Sequence, residues 1–331
     1  MADKNASTMQ ANHKKGISVQ ERSIHIGDFI IINGYQINLI SLKESFQQGG
    51  YAIHETPHFL LLTRPTAPST ILVHWFAPEE ITADIAHYFV QELKPFGIIT
   101  HSDHLGELFT GVVSGSLFPG DVRRAWNYFG ANTLQRLQVF LSSAIPPEIP
   151  DYGTLGAAAT LYQRVAEMCI GDRLLDAGCK GGFLSLLLAE RRPFVATAVG
   201  VDIDADAFTL GKQLAEEHGL TNVRYIQADL RAKDFPAIGQ FDTVTILHVL
   251  EHLTEEDMYL VLTNLLIVMQ HRLIIAVPYE DDTEVAYGHL QTFSNKKLNV
   301  VGEWCLQHMQ GQGRIWCEDI LGGLLLVERL P

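Results

Sequence analysis

After Pro150 the chain settles into a rhythm that few folds accept. Short apolar runs at Arg173–Ala177, Ala198–Asp202, Val223–Gln227, Thr243–His248 and Arg272–Val277 are separated by helical stretches near Gly182–Arg191, Ala205–His218 and Thr254–Met269. Strands this uniformly apolar are buried on both faces, and helical crossovers between them demand a parallel sheet with helices on each side. In such sheets ligands bind beyond the carboxyl ends of the strands, where strand order reverses. A helix over Thr154–Met168 precedes the first strand. Two more strands are expected over Asn299–Trp304 and Ile320–Glu328, around the polar stretch Gln307–Gln312.

The strand ends carry the chemistry. The first runs into Leu174-Leu175-Asp176-Ala177-Gly178-Cys179-Lys180-Gly181-Gly182-Phe183, a glycine-rich turn that lets a ligand approach the backbone. It is not a dinucleotide fingerprint, because Lys180 stands where G-x-G-x-x-G needs its second glycine. Asp176 at the mouth of the turn would also repel a pyrophosphate. Asp202 ends the second strand and Asp229 follows the third. Carboxylates at successive strand ends suit a ligand with cationic groups and ribose hydroxyls, which they accept from. The plain structural alternative is that each Asp caps the next helix.

In order and spacing, LLDAGCKGGFLS, VGVDID, YIQADL and FDTVTILHVLEHL resemble the class I S-adenosylmethionine-dependent methyltransferases. The likeness is greatest to the small-molecule branch that includes ubiquinone and menaquinone biosynthesis enzymes, and it spans about Thr154–Leu330. It implies an α/β fold: a doubly wound, mostly parallel, seven-stranded Rossmann-like sheet beside a smaller N-terminal α+β domain. It implies S-adenosylmethionine as cofactor, held by Asp176, Gly178, Cys179, Gly182, Asp202, Ile203, Asp229, Leu230 and His248. In that family the residue matching Asp202 holds the ribose and the one matching Asp229 lies at the adenine. The expected reaction is in-line methyl transfer to a small-molecule nucleophile, with O, N, C or S as acceptor atom. A non-catalytic cofactor-binding regulator or assembly subunit is the alternative, motivated by Lys180 in place of the usual glycine.

His248-Val249-Leu250-Glu251-His252 matches the letters of a zinc-protease motif. That motif belongs within one helix, whereas this run begins at the end of the fourth strand, so no metal is expected there. His248 instead lines the cofactor–substrate cleft. In similar enzymes a H-x-x-x-F-[ST] run after the fifth strand closes one wall of the substrate site, and His289–Ser294 fits it. His248 and His289 are therefore the candidate catalytic residues, imidazole being the side chain intrinsically suited to proton transfer near neutral pH.

The N-terminal part is read as separate. Residues 1–20 form a polar tail, 21–145 a small α+β domain, and 146–331 the methyltransferase domain, with the boundary at the proline-rich Ile145–Pro150. Asn33-Gly34 between apolar runs predicts a hairpin. Strands are expected at His58–Thr63, Thr70–Phe76 and Gly97–His101, and helices over Pro78–Leu93 and Asp121–Leu141. The sheet after Pro150 is expected to bury its own faces, leaving the N-terminal domain to complete the acceptor pocket or a homodimer contact through Trp126, Tyr128 and Phe129.

Composition narrows the partners. The 24 basic and 38 acidic side chains give −14, of which −11 falls in residues 151–331. Such a surface repels phosphate backbones, so no nucleic-acid partner is expected. The absence of an apolar h-region in the first residues, of a long apolar run and of any C-x-x-C pair among four cysteines points to a cytoplasmic protein without membrane insertion.

Overall fold

The computed structural model describes residues 22–67, 69–117, 120–142, 154–191 and 195–330. The expected tail at 1–20 and the proline segment 145–150, with the boundary placed on it, lie outside these residues.

In chain order the first elements are β1 (Ser23–Ile26), β2 (Phe29–Asn33), α1 (Leu39–Gln48), β3 (Ala52–Glu55), β4 (Phe59–Thr63), β5 (Thr70–His74), α2 (Ile85–Leu93), α3 (Ser102–Gly115) and α4 (Val122–Ser142). Then follow α5 (Leu155–Met168), β6 (Arg173–Ala177), α6 (Phe183–Arg191), β7 (Thr197–Asp202), α7 (Thr209–Glu217), β8 (Val223–Gln227) and β9 (Phe241–Leu247). The chain ends with α8 (Glu255–Val268), β10 (Met269–Val277), α9 (Asn295–His308), β11 (Gly313–Asp319) and β12 (Gly323–Arg329).

By compactness the chain divides into two units, one up to Glu80 with Gly106–Trp126, the other Ile81–Leu105 with the residues from Asn127 on. The first holds a five-stranded mixed sheet in the order β1-β2-β5-β4-β3. Its core gathers Ile32, Leu60, Leu62, Ile71 and Val73 of the sheet under Leu42 and Phe46 of α1. The hairpin expected at Asn33-Gly34 is not there. It forms at Gly27-Asp28, where Gly27 takes φ 49° and β1 pairs antiparallel with β2. Asn33 is instead buried, its side-chain amide donating to the carbonyls of Gly115 and Ser116. Asn38 then caps α1 by accepting from the amides of Ile40 and Ser41. Gly97–His101 is irregular rather than a strand.

The second unit is a seven-stranded sheet in the order β11-β12-β10-β9-β6-β7-β8. β6 to β10 are parallel, and β12 runs antiparallel to both β10 and β11. Alternate residues face opposite layers. Leu175, Ala177, Ile246 and Ile275 pack under α8 and α9, while Leu174, Ala198, Ile274 and Ala276 pack under α5 and α6. This is the doubly wound sheet expected from the apolar strands. The chain reverses its lateral direction between β6 and β9, which sets the switch-point crevice beyond their carboxyl ends.

One expectation for this part fails. Asn299–Trp304 is not a strand but lies inside α9. Ser294 caps that helix by accepting from the Lys297 amide, and Leu298, Val301 and Cys305 bury one face at helical spacing. The antiparallel terminal hairpin exists, built from β11 and β12 instead. Both faces of the sheet are covered by helices that follow Pro150, as expected; on the outside of those helices Leu134 and Leu137 of α4 join the same buried cluster as Leu155, Ala159, Leu186 and Leu214. Of the three aromatics proposed for a cleft, Phe129 is buried, Trp126 donates its indole N–H to Ser114 Oγ, and Tyr128 is exposed.

Candidate active site

The turn after β6 is shaped by three residues with positive φ: Gly178 at 76°, Lys180 at 45° and Gly182 at 75°. A side chain on Gly178 would meet Val249 at 2.4 Å, and one on Gly182 would meet Tyr225 at 2.4 Å. Glycine is therefore required at both by backbone angle and by space. Lys180 takes a left-handed conformation that glycine adopts at lower cost. The Gly178 and Cys179 amides donate to the Val201 carbonyl, and the Tyr225 hydroxyl donates to the Gly182 carbonyl. Cys179 packs inward on Phe208 and Tyr225, so only its backbone is offered to a ligand. Burial pushes its thiol well above the ordinary range.

Sheet register fixes Asp176. It sits opposite Gly200 of β7 and Thr245 of β9. Only 6% of it is exposed, and it accepts hydrogen bonds from Ser185 Oγ at 2.9 Å and Thr245 Oγ1 at 3.2 Å. Burial pushes its carboxyl up to about 6, the two hydroxyls opposing the shift and Asp202 adding to it. Asp176 is thus a buried acid with hydroxyl partners and no cation to balance it among the described residues.

Asp202 ends β7 and is not a helix cap. Its Oδ2 accepts from the Lys180 amide at 2.8 Å and its Oδ1 from the Asp204 amide at 3.1 Å. It ties the glycine turn to the β7 end while each oxygen keeps room for a further donor. Next to it Ile203 is 58% exposed, an apolar surface at the strand end. Asp229 is differently engaged. The Arg231 guanidinium donates to both its oxygens, at 2.9 to 3.2 Å, and also reaches Asp257. Its pKa is lowered, chiefly by those Arg231 hydrogen bonds. Leu230 is a core residue, its carbonyl accepting from Asn264 of α8. Neither Arg231 nor Asn264 stood out in the sequence.

His248 follows β9 directly, with φ 53° and its amide donating to the Ala276 carbonyl. Its Nδ1 lies 3.3 Å from the Glu251 carboxylate, an ion-pair distance without hydrogen-bond geometry. A short 3-10 turn, Leu250–His252, then brings Glu251 inward. The loop after β10 returns alongside it, the Leu290 and Gln291 amides donating to the Glu251 carbonyl. That loop places buried His289 with Nδ1 2.8 Å from Glu280 Oε2, and the His252 and His289 rings 4.9 Å apart. His252 is held below its ordinary pKa, first by desolvation, with His289 and Lys180 also opposing its proton. The structure therefore brings both candidate catalytic histidines to the ends of β9 and β10, and adds Glu280 and Glu251 as partners.

Residues 174–271 match the family model described as a methyltransferase domain. The ubiquinone biosynthesis O-methyltransferase of Psychrobacter arcticus is 33% identical over 102 residues, 30% of this chain and 38% of that protein. Its counterpart in Pseudomonas aeruginosa is 36% identical over 86 residues, 26% of this chain and 35% of that protein. The chain thus spans little more than a third of the length of these curated relatives. Among solved structures, magnesium protoporphyrin IX methyltransferase from Synechocystis PCC 6803 is 17% identical, with a TM-score of 0.42 over 63% of this chain and 100% of that one.

Proposed function

We propose, from the premise that this chain carries a class I S-adenosylmethionine-dependent methyltransferase domain, that it methylates a small-molecule nucleophile held beside the ends of β9 and β10. One observation supports the cofactor's place above the others: Asp176 is a buried carboxylate held by neutral donors, the Ser185 and Thr245 hydroxyls and the Ser185 backbone, with Asp202 adding to its negative surroundings. A ligand carrying sulfonium and ammonium charges supplies what such a pocket lacks, whereas a phosphate ligand would worsen it. The glycine turn fits close backbone approach, and Asp202 has lone pairs left for ribose hydroxyls. When bound, the cofactor supplies an electrophilic methyl group.

The protein's own work is alignment and proton handling. Well-held geometry supplies on the order of 7–11 kcal/mol of such a barrier. Gly178 and Gly182 fix the turn, Asp202 and Ile203 hold the β7 edge, and Asp229 with Arg231 stiffens the next loop. His248, half-exposed beside Glu251, is the proton acceptor for an oxygen or carbon nucleophile. His289, oriented by Glu280, is a fixed polar wall.

Two outcomes test this reading. Asp202→Ala removes a carboxylate that both clamps the turn and accepts ligand hydroxyls. Each charged hydrogen bond is worth about 1.5–3 kcal/mol. S-adenosylmethionine affinity should fall at least tenfold by calorimetry, and an unchanged affinity in the folded variant would refute the assignment. His248→Ala should keep cofactor affinity but lower kcat by about 10²-fold or more, measured as S-adenosylhomocysteine formed from an accepted substrate. Equal kcat would remove His248 from the chemistry.

A further inference from the structure

Glu251, His252 and His289 each offer one ligand atom, and these atoms lie within 4.8 Å of one another. We propose that the three form a binding site for one divalent first-row transition cation. The site is not the H-x-x-E-H motif of the sequence. His248 is outside the set, and the third donor comes from the loop after β10.

Three independent observations carry this. First, Glu251 is fully buried, yet neither carboxylate oxygen has a hydrogen-bond partner, His248 Nδ1 at 3.3 Å lying outside hydrogen-bond geometry. A buried carboxylate left without donors is costly unless a cation meets it. Second, both histidines are oriented through Nδ1. His289 Nδ1 bonds the Glu280 carboxylate at 2.8 Å, and His252 Nδ1 lies 3.3 Å from the Gly288 carbonyl. In each ring Nε2 is the nitrogen left for a metal, the arrangement in which a carboxylate or carbonyl holds a ligating imidazole. Third, the Leu290 and Gln291 amides donate to the Glu251 carbonyl, which holds the loop carrying His289 against the turn that carries Glu251 and His252. Two imidazoles and one carboxylate favour borderline transition cations over Mg²⁺ or Ca²⁺, which prefer oxygen alone.

Three protein ligands leave coordination positions open. His252 is exposed while Glu251 and His289 are buried, so the site is reached from the surface on the His252 side. An oxygen of the acceptor would fill an open position and lose its proton more readily there. That role rests on the proposed methyl transfer, whereas the binding site itself does not.

The test uses the full chain without a polyhistidine tag, stripped with chelator and titrated with CoCl₂. Visible d–d absorption and calorimetry are the readouts. One equivalent should bind saturably with visible bands. Glu251→Gln, which keeps the shape of the side chain, and His252→Ala, at the exposed rim, should each weaken binding at least tenfold, while the exposed and separate His308→Ala should not. If Glu251→Gln fails to fold by circular dichroism, His252→Ala decides. Absence of saturable one-equivalent binding, or unchanged affinity in the folded variants, overturns the site. S-adenosylmethionine calorimetry on the same protein separates the two readings. Cobalt bound without cofactor affinity upholds this site and refutes the methyl-transfer reading. Cofactor bound without cobalt does the reverse.

Discussion

A protein cut to residues 149–331 should fail to fold cooperatively and should not bind S-adenosylmethionine. The sequence reading treats the sheet after Pro150 as self-sufficient, because its strands alternate with their own helices. The packing adds a further layer, α4, on the helices that cover the sheet. Leu134 and Leu137 of α4 are 3% and 1% exposed, and their partners Leu155, Leu186 and Leu214 lie on three helices that the truncation retains. Burying one leucine contributes about 1.5–3 kcal/mol, so these two alone represent about 3–6 kcal/mol, a large part of a domain's usual margin.

Polar ties go with them. Thr133 Oγ1 accepts from the Ala83 amide, Asn132 donates to the Ile81 carbonyl, and Asp84 accepts from the Leu155 amide at 2.6 Å. A side chain on Gly130 would meet Leu210 at 2.3 Å, which shows how closely α4 is seated. Leu137→Ala in the intact chain should cost about 2–5 kcal/mol. Thermal melts by circular dichroism decide both. If the truncated protein melts cooperatively near the full-length temperature and binds cofactor normally, α4 is dispensable and the accounting is wrong.

What the sequence made legible follows from how each element is stabilised. β6, β7, β9 and the second half of β10 are readable because double-faced burial leaves apolar runs with turn residues at their ends, whereas edge strand β8 shows only Val223, Tyr225 and Ile226. The three acids were readable because strand-end position is a local property. α9 was misread because Asn299-Val300-Val301-Gly302-Glu303-Trp304 is rich in strand-favouring residues, while the period that matters starts outside it, at Leu298, and ends at Cys305. The Asn33-Gly34 turn was misread because Asn33 finds partners 82 and 83 residues away, which no local rule contains. The engagement of Asp229 by Arg231 lay two residues off and was missed all the same. The meeting of Glu251, His252 and His289 depends on the β10 loop folding back over a 3-10 turn, which no local spacing contains.

The last prediction turns on Asp176. Its carboxyl is raised from 3.8 to about 6 in the folded state, with desolvation as the largest cause. Well below pH 3.8 it is neutral whether the chain is folded or not. As pH rises from there to about 6 the unfolded chain releases its proton first, so the folded state binds more protons and loses stability. Above about 6 the loss is complete, at about 3 kcal/mol for a shift of roughly two units. The neighbouring groups do not blur this window. Tyr162, Tyr225 and Cys179 are all pushed upward and stay neutral, and the nearby Asp202 carboxylate adds to the upward shift of Asp176.

Asp176→Asn is neutral at every pH and still faces Ser185 and Thr245. It should therefore be more stable than the parent by about 1–3 kcal/mol at pH 8, the advantage vanishing below about pH 4. Cofactor binding should move the opposite way. A cationic ligand favours the ionised carboxylate, so the parent's affinity should weaken as pH falls through about 6. The Asn variant should bind at least tenfold more weakly at pH 8. Denaturant titrations at pH 8 and pH 4, with calorimetry at pH 8, measure both quantities. A variant that is less stable at pH 8 shows that the hydroxyl partners compensate the charge fully. A more stable variant with undiminished affinity shows that the buried acid serves something other than the cofactor's positive charge.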